Sequence, residues 1–145
     1  MKIATEVLLV DDNPGDTELT ADLLSRNDPG VHTHCVTNGV DAMAFLRCEG
    51  KYSGAVRPHL IMLDLNMPRK DGWAVLVEVK SDGALKMIPL VVFSTSQDRA
   101  DIARCYELGA NCYVSKPANL DGYTSTVTGI SNYWFGFASL MRGEG

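Results

Sequence analysis

Acidic side chains follow two apolar segments of this sequence, and a lysine follows another. Asp11 and Asp12 come directly after the first apolar segment, Asp64 follows a later one, and Lys116 follows the last. Three carboxylates brought together repel one another, and their pKa values rise unless a cation neutralises them. Carboxylate oxygens suit a hard divalent ion, Mg²⁺ before Ca²⁺ or Zn²⁺. These residues therefore predict a magnesium site, provided that the fold brings them together.

A hydroxyl group completes the candidate set, because Ser94 ends a further apolar segment. A metal ion, the Lys116 ammonium and a hydroxyl around one carboxylate are a suitable set of ligands for phosphoryl oxygens. Asp64 is the natural nucleophile, since aspartate can form an acyl phosphate. Taken singly, each residue has an ordinary interpretation as a helix cap, a turn residue or a solvated charge. Their joint occurrence at the ends of apolar segments favours the functional interpretation.

Short apolar segments alternate with helical periodicity along the whole chain. The apolar segments predict five strands, at 6–10, 31–36, 60–64, 90–93 and 111–115. Asn13 followed by Pro14 predicts the start of the first helix, and the last helix is predicted at about 119–140. Other helices are predicted at 39–47, with Val40 facing inward, at 72–81, and, as helix 4, from a cap at Asp98 to an end at Gly109.

This alternation predicts an α/β fold with helices on both faces of a parallel sheet, because each parallel link needs a crossover. We expect a flavodoxin-like (βα)5 doubly wound sheet with strand order 2-1-3-4-5. Sites in such folds lie at the carboxyl ends of the strands, near the switch between strands 1 and 3. Asp11, Asp12 and Asp64 stand at that switch, with Ser94 and Lys116 at the neighbouring strand ends.

Length and composition limit the possible functions. The 145 residues suit a single domain over 1–145, and 46% apolar with 21% charged residues excludes a disordered or fibrous chain. No segment is long and apolar enough to predict a membrane span, and a net charge of −5 with scattered lysines argues against nucleic-acid binding. The four cysteines form no C-x-x-C pair. We expect reduced, mostly buried thiols in a cytoplasmic protein.

The motifs of this chain resemble those of a two-component response-regulator receiver domain over nearly its whole length. They are VLLVDDN (7–13), LIMLDLNMPRKDGW (60–73), VVFSTS (91–96), Gly-Ala at 109–110 and YVSKPANL (113–120). A closer resemblance is to the single-domain receivers linked to phytochromes, through R-x-E-G-x-Y at 47–52, N-C-Y at 111–113 and Tyr-Trp-Phe at 133–135. This resemblance implies a sensor histidine kinase as partner, a bacterial phytochrome in the closer case.

The resemblance also implies roles for the acidic residues. Asp64 matches the residue that accepts the phosphoryl group, with Mg²⁺ as cofactor. Asp12 matches the direct metal ligand, Asp11 the acid that holds metal-bound water, and Asn66 the residue whose backbone carbonyl contacts the metal.

Further residues match the parts that respond to the phosphoryl group. Lys116 matches the residue that pairs with the phosphate, and the Lys116–Pro117 peptide is expected to be cis. Ser94 matches the hydroxyl that follows the phosphoryl group, and Tyr113 the aromatic switch residue. Serine lacks the threonine methyl that helps to fix the rotamer, so we expect Ser94 to be held less firmly. The surface that switches would comprise helix 4, strand 5 and helix 5, and its output would be protein contacts.

Three other functions would each need residues different from those in this sequence. A Mg²⁺-dependent aspartate phosphatase would need Asp-x-Asp at the nucleophile, where this chain has Asn66 in the second position. A phosphate-independent scaffold would lack Asp12, Asp64 or Lys116, and all three are present. A protein that binds flavin mononucleotide would need a Ser/Thr/Gly-rich loop where this chain has Asp-Asp-Asn-Pro. We therefore expect a switch that catalyses its own phosphotransfer and slow autodephosphorylation, not an enzyme acting on other substrates.

The last predicted helix carries more aromatic surface than one packing contact needs. Apolar residues recur there at three- and four-residue spacing, at Leu120, Tyr123, Val127, Ile130, Trp134 and Met141. Tyr133, Phe135 and Phe137 lie beside Trp134 and widen the apolar stripe. Exposed aromatic patches mark interfaces. We therefore predict a two-fold homodimer through this helix, as the closer resemblance also implies.

Overall fold

A computed structural model describes residues 4–67 and 69–141, so the ends of the predicted 1–145 domain lie partly outside the described residues. Parallel strands form one sheet in the order β2-β1-β3-β4-β5. The strands are β1 (Thr5–Val10), β2 (Val31–Val36), β3 (Leu60–Leu63), β4 (Leu90–Ser94) and β5 (Cys112–Ser115). The predicted flavodoxin-like order is confirmed.

Helices connect the strands and cover both faces of the sheet. They are α1 (Pro14–Asn27), α2 (Gly39–Leu46), α3 (Gly72–Ser81), α4 (Arg99–Glu107) and α5 (Leu120–Ser131). Short 3₁₀ turns lie at Gly50–Tyr52 and Leu85–Met87, and a π-helical segment at Asn132–Phe137, here called the C-terminal turn, extends α5. Within the described part of the chain, no helix has the length and apolar character to cross a membrane.

Polar side chains define where the helices begin. At all five helices an Asn or Asp side chain accepts a hydrogen bond from a backbone N–H of the first turn; these caps are Asn13, Asn38, Asp71, Asp98 and Asn119. The predicted cap at Asn13 and the proline at the first position of α1 are confirmed. Each cap fixes the point at which the chain turns from a strand into the next helix.

The sheet has a separate apolar core on each face, because successive side chains of a strand point to opposite sides. Leu8 and Val10 pack with the helices α2, α3 and α4. Val7 and Leu9 face the opposite side and pack with α1 and α5. The two cores hold the strands in fixed register, and that register places the strand ends.

Helical periodicity fails as a guide to burial in the first turns. Val40 is exposed although it was predicted to face inward, and Leu120 is 65% exposed. Both residues lie in the first turn of their helices. Cys35 and Cys48 are exposed too, so the prediction of mostly buried thiols is wrong for this pair.

Candidate functional site

The acidic cluster forms where two neighbouring strands end. The Asp11 backbone N–H donates to the Val36 carbonyl (3.1 Å), and the Asp64 N–H donates to the Val10 carbonyl (2.9 Å). These bonds continue the sheet ladder by one residue and fix both aspartates at its edge. Carboxylate oxygens of Asp11, Asp12 and Asp64 all lie within 4.8 Å of one another. The structure thus brings together the three predicted acids.

A lysine lies against this cluster from the end of β5. The Lys116 N–H donates to the Ser94 carbonyl (2.7 Å), which holds the lysine beside the neighbouring strand. Its ammonium nitrogen lies 2.6 Å from Asp11 Oδ2 and 3.4 Å from Asp64 Oδ2. The Lys116 side chain is only 4% exposed. Hydrogen bonds to an ionised group are strong, so these contacts orient the ammonium toward Asp64.

Burial and charge act against each other at this pair. Burial lowers the pKa of Lys116, but the hydrogen bond and charge of Asp11, with the charge of Asp64, outweigh it and raise that pKa above its ordinary value. Burial raises the pKa of Asp11, and the hydrogen bond from Lys116 opposes this only in part. Because the carboxylates outnumber the one ammonium, the site retains negative charge and suits a further cation.

Asp16 is a member of the site that sequence reasoning missed. It lies in the first turn of α1, and its Oδ2 is 3.0 Å from the Lys116 ammonium nitrogen. An acid three residues after an N-cap is ordinarily explained by helix capping. That local explanation gives no reason to expect a contact with Lys116, which lies a hundred positions away in the sequence. Only the packing of α1 against the end of β5 reveals the pair.

The loop after β3 holds the Asp64 backbone closely. The Asn66 N–H lies 3.4 Å from Asp64 Oδ1, a long contact, and the Gly72 N–H donates to the Leu65 carbonyl (2.9 Å). A Cβ atom at Gly72 would collide with the Asp64 carbonyl oxygen, so glycine is needed where α3 begins. Asn66 stays beside the cluster, where its carbonyl could join the metal ligands.

The predicted switch residues lie on two neighbouring strands, Ser94 at the end of β4 and Tyr113 in β5. Ser94 is fully buried, and its hydroxyl makes no hydrogen bond of good geometry with the described residues, although its side chain is near enough to Tyr113 to lower the pKa of that phenol slightly against the effect of burial. The Tyr113 hydroxyl donates to the Ser96 carbonyl (2.7 Å), and the half-buried ring packs against the core formed with α2, α3 and α4. Leaving a buried hydroxyl without a hydrogen bond costs free energy. A hydrogen-bond acceptor placed beside Ser94 would therefore be stabilised by its hydroxyl.

The predicted cis peptide at Lys116–Pro117 is wrong. No peptide bond in residues 4–67 and 69–141 is cis. The trans form is intrinsically favoured even before proline, and here it already allows Lys116 to reach Asp11 and Asp64.

The donor set tests whether a divalent cation fits. The atoms that converge are carboxylate oxygens of Asp11, Asp12 and Asp64, and the described cluster contains no histidine or thiol. Hard ions such as Mg²⁺ prefer oxygen ligands of this kind. The residues present therefore fit a magnesium or manganese ion.

The aromatic residues predicted to form an interface fall into two groups. Phe137 is 82% exposed and Tyr133 is 54% exposed. Trp134 and Phe135 are half-buried against the core formed with α1 and α5. Beside them, Asn27, Ser131 and Phe135 help to line an open groove of about 350 Å³. The C-terminal turn thus presents two exposed rings next to a groove.

The chain is similar to known proteins over most of its length. The family model described as the response regulator receiver domain matches residues 7–128. The response regulator Rcp1 of Synechocystis is 40% identical over 134 residues, which are 92% of this chain and 91% of Rcp1.

Solved structures agree with the sequence match. The phosphorylated cyanobacterial phytochrome response regulator RcpA superposes with a TM-score of 0.92 at 45% identity, over 96% of this chain and 99% of RcpA. The Mn²⁺-bound form of Rcp1 gives a TM-score of 0.91 at 39% identity, over 95% of this chain and 99% of Rcp1.

Proposed function

Because the chain belongs to the response-regulator receiver-domain family, we propose that it is a switch in which Asp64 accepts a phosphoryl group from a histidine kinase. The contact between the buried Lys116 ammonium and Asp64 Oδ2, at 3.4 Å, is the observation that carries this proposal. A buried cation beside one carboxylate of an acidic cluster is suited to receive the charge of an incoming phosphoryl group.

In the proposed transfer, a carboxylate oxygen of Asp64 attacks the phosphorus of a phosphohistidine. The new P–O bond forms as the P–N bond breaks, and the electron pair remains on the leaving imidazole nitrogen, which takes a proton from solvent. Lys116 pairs with one phosphoryl oxygen, and the Ser94 hydroxyl donates to another. Asp11, Asp12, Asp64 and the Asn66 carbonyl would hold a Mg²⁺ ion, which would supply positive charge to the phosphoryl oxygens.

Hydrolysis of the aspartyl phosphate resets the switch. Water attacks the phosphorus, the P–O bond to Asp64 breaks, and the carboxylate is restored with release of phosphate. Asn66 offers no second acid for this step, which fits slow self-hydrolysis and no turnover of other phosphate esters.

We propose that the signal passes from Ser94 to Tyr113. The unpaired Ser94 hydroxyl supports this route, because a phosphoryl oxygen would give it the partner that it lacks. Tyr113 lies on β5 and bonds the Ser96 carbonyl beyond β4, so movement of that loop changes the ring's contacts. The surface that responds is α4, β5 and α5.

The test of the phosphoacceptor is Asp64→Asn, which keeps the shape of the side chain and removes the nucleophile. We expect acetyl phosphate with Mg²⁺ to label the wild type and to leave this variant unlabelled. Asp22→Asn, on the exposed side of α1, is the matched control and should label like the wild type. Undiminished labelling of Asp64→Asn would place the acceptor elsewhere.

For the kinase, we propose one of the phytochrome class. The name of RcpA, a phytochrome response regulator, and its 45% identity over most of the chain support this choice. Phosphotransfer from a purified bacterial phytochrome kinase should be at least tenfold faster than from an unrelated histidine kinase, which corresponds to about 1.4 kcal/mol of discrimination. Equal rates from both kinases would refute the assignment.

We also propose a homodimer formed through Tyr133, Trp134, Phe135 and Phe137. The exposure of Phe137 and Tyr133 beside a groove supports it, since large exposed apolar patches mark interfaces. Sedimentation should show a dimeric wild type and a monomeric Tyr133→Ser/Phe137→Ser double variant. A wild type that stays monomeric at high micromolar concentration, with and without beryllofluoride, would exclude this dimer.

A further inference from the structure

We propose that Asp16 is a positioning residue for Lys116, holding its ammonium at the phosphoacceptor from outside the acidic cluster. The kinetic consequence rests on the proposed function, but the contact itself exists in the unmodified protein. Asp16 Oδ2 and the Lys116 nitrogen are 3.0 Å apart.

The Lys116 ammonium has three N–H groups and three carboxylate partners. The partners are Asp11 at 2.6 Å, Asp16 at 3.0 Å and Asp64 at 3.4 Å. A lysine side chain loses much rotamer freedom when fixed, about 1.5–2 kcal/mol. Several acceptors on different sides are therefore needed to hold this long side chain in one direction.

Asp16 differs from the other two partners because it is not one of the carboxylates that could hold a metal ion. Oxygens of Asp11 and Asp64 belong to the group that lies within 4.8 Å, whereas Asp16 does not. A cation or a phosphoryl group at the site would draw on Asp11 and Asp64 and leave the Asp16 carboxylate as before. Asp16 is thus the acceptor that can keep Lys116 in place throughout the cycle.

Helix capping does not account for the direction of the Asp16 side chain. In a capping box, the acid at this position would accept from the N–H of the cap residue Asn13. That N–H already donates to Asp11 Oδ1 at 2.9 Å. The Asp16 carboxylate instead reaches Lys116, the contact that matters for the site.

The Asp16 backbone is held from two sides, which makes the carboxylate a fixed point. Its N–H donates to Asn13 Oδ1 (3.1 Å). Its carbonyl accepts from the Tyr123 hydroxyl of α5 (3.3 Å), and that hydroxyl also pairs with Thr20 Oγ1 (2.6 Å). A side chain on so constrained a segment can orient its partner with little motion of its own.

Two variants separate the contact from a general effect of helix charge. Asp16→Ala removes the acceptor, and Asp16→Asn keeps an oxygen that can still accept from Lys116. Asp22→Ala removes an acid from the same helix without touching the site, since Asp22 pairs with Arg26. All three are compared with the wild type as full-length proteins.

The first measurement needs no phosphorylation. The proton–nitrogen correlation signal of the Lys116 ammonium should be visible in the wild type, the Asp22→Ala protein and the Asp16→Asn protein. In Asp16→Ala it should broaden through faster exchange with water. An Asp16→Ala signal indistinguishable from that of the wild type would overturn the positioning role.

The second measurement is the rate of labelling by acetyl phosphate with Mg²⁺. We expect Asp16→Ala to label roughly three- to tenfold more slowly, the range for loss of one partly exposed hydrogen bond to a charged group. Asp16→Asn should recover most of the rate. A rate for Asp16→Ala equal to or above that of Asp22→Ala overturns the role, whereas an unlabelled wild type refutes the proposed function and leaves the ammonium signal to decide on Asp16.

Discussion

The carboxyl edge of the sheet buries charged side chains, whereas the C-terminal turn exposes apolar ones, and both arrangements are unfavourable unless something compensates them. At the edge, Lys116 and Asp11 are charged groups removed from water, with side chains 4% and 12% exposed. At the turn, Phe137 is an apolar ring left 82% in water. Charges are buried where partners lie within hydrogen-bond distance, whereas an exposed ring has no such compensation within one protomer. The edge thus compensates its buried charges with one another, whereas the turn leaves two aromatic rings exposed to water.

The largest effect is expected at the edge, from removal of the Lys116 ammonium. Lys116→Met keeps a long side chain and leaves Asp11, Asp16 and Asp64 without their ammonium. In EDTA we expect the free energy of unfolding to fall by roughly 3 kcal/mol, because breaking a buried pair leaves uncompensated charge.

Urea unfolding with and without Mg²⁺ measures this effect. Mg²⁺ should stabilise the Lys116→Met protein more than the wild type, because it binds the folded state and replaces the missing charge. Lys86→Met, on an exposed turn, is the control and should unfold like the wild type. If Lys116→Met and Lys86→Met unfold alike in EDTA, the edge does not depend on its lysine.

An intermediate effect is expected inside the C-terminal turn. Trp134 packs against the core formed with α1 and α5, whereas Phe137 extends into water. Trp134→Ala should lower the free energy of unfolding by about 2 kcal/mol, less than for a fully buried aromatic residue. Phe137→Ala should change it by less than about 0.5 kcal/mol.

Both variants must be unfolded at concentrations where the protein is monomeric, because association adds apparent stability. Equal losses in the free energy of unfolding for Trp134→Ala and Phe137→Ala would mean that both rings are packed. The C-terminal turn would then not differ from the edge by exposing apolar side chains.

Strand ends could be predicted because a buried strand leaves a short apolar run, and the first polar residue after it must stand at the edge. Asp11, Asp64 and Lys116 all lie where this rule places them. Asp16 could not be found in the same way, since a residue in a first helical turn has a sufficient local explanation. Its contact with Lys116 depends on how α1 packs against the end of β5.

The end of the chain was harder to predict for a similar reason. Periodicity predicted one helix over about 119–140, but the α-helix gives way at Asn132 to π-helical hydrogen bonding. The wider π-helical turn has more residues per turn than an α-helix, so its side chains depart from the directions that α-helical periodicity predicts. Exposure of Leu120 has another cause, since it lies in the first turn.

The smallest effect is expected at Tyr123, which connects α5 to the helix that carries Asp16. Its hydroxyl lies 2.6 Å from Thr20 Oγ1, and Thr20 is only 4% exposed. Tyr123→Phe should lower the free energy of unfolding by about 1 kcal/mol, because the Thr20 hydroxyl loses its partner. Tyr133→Phe, the same substitution on the exposed turn, should leave the free energy of unfolding unchanged.

The effect of Tyr123→Phe should also depend on pH. Burial raises the pKa of Tyr123 above its ordinary value of 10.0, although the hydrogen bond to Thr20 opposes this. The unfolded chain therefore releases the phenol proton at a pH where the folded protein still holds it, and the stability that Tyr123 contributes is lost as the pH rises through that range. Urea unfolding should show the advantage of the wild type over Tyr123→Phe shrinking as the pH rises past the ordinary tyrosine pKa of 10.0, and constant well below it. An advantage that grows with pH would mean that the folded protein favours the ionised phenol, contrary to the burial of Tyr123 between α1 and α5.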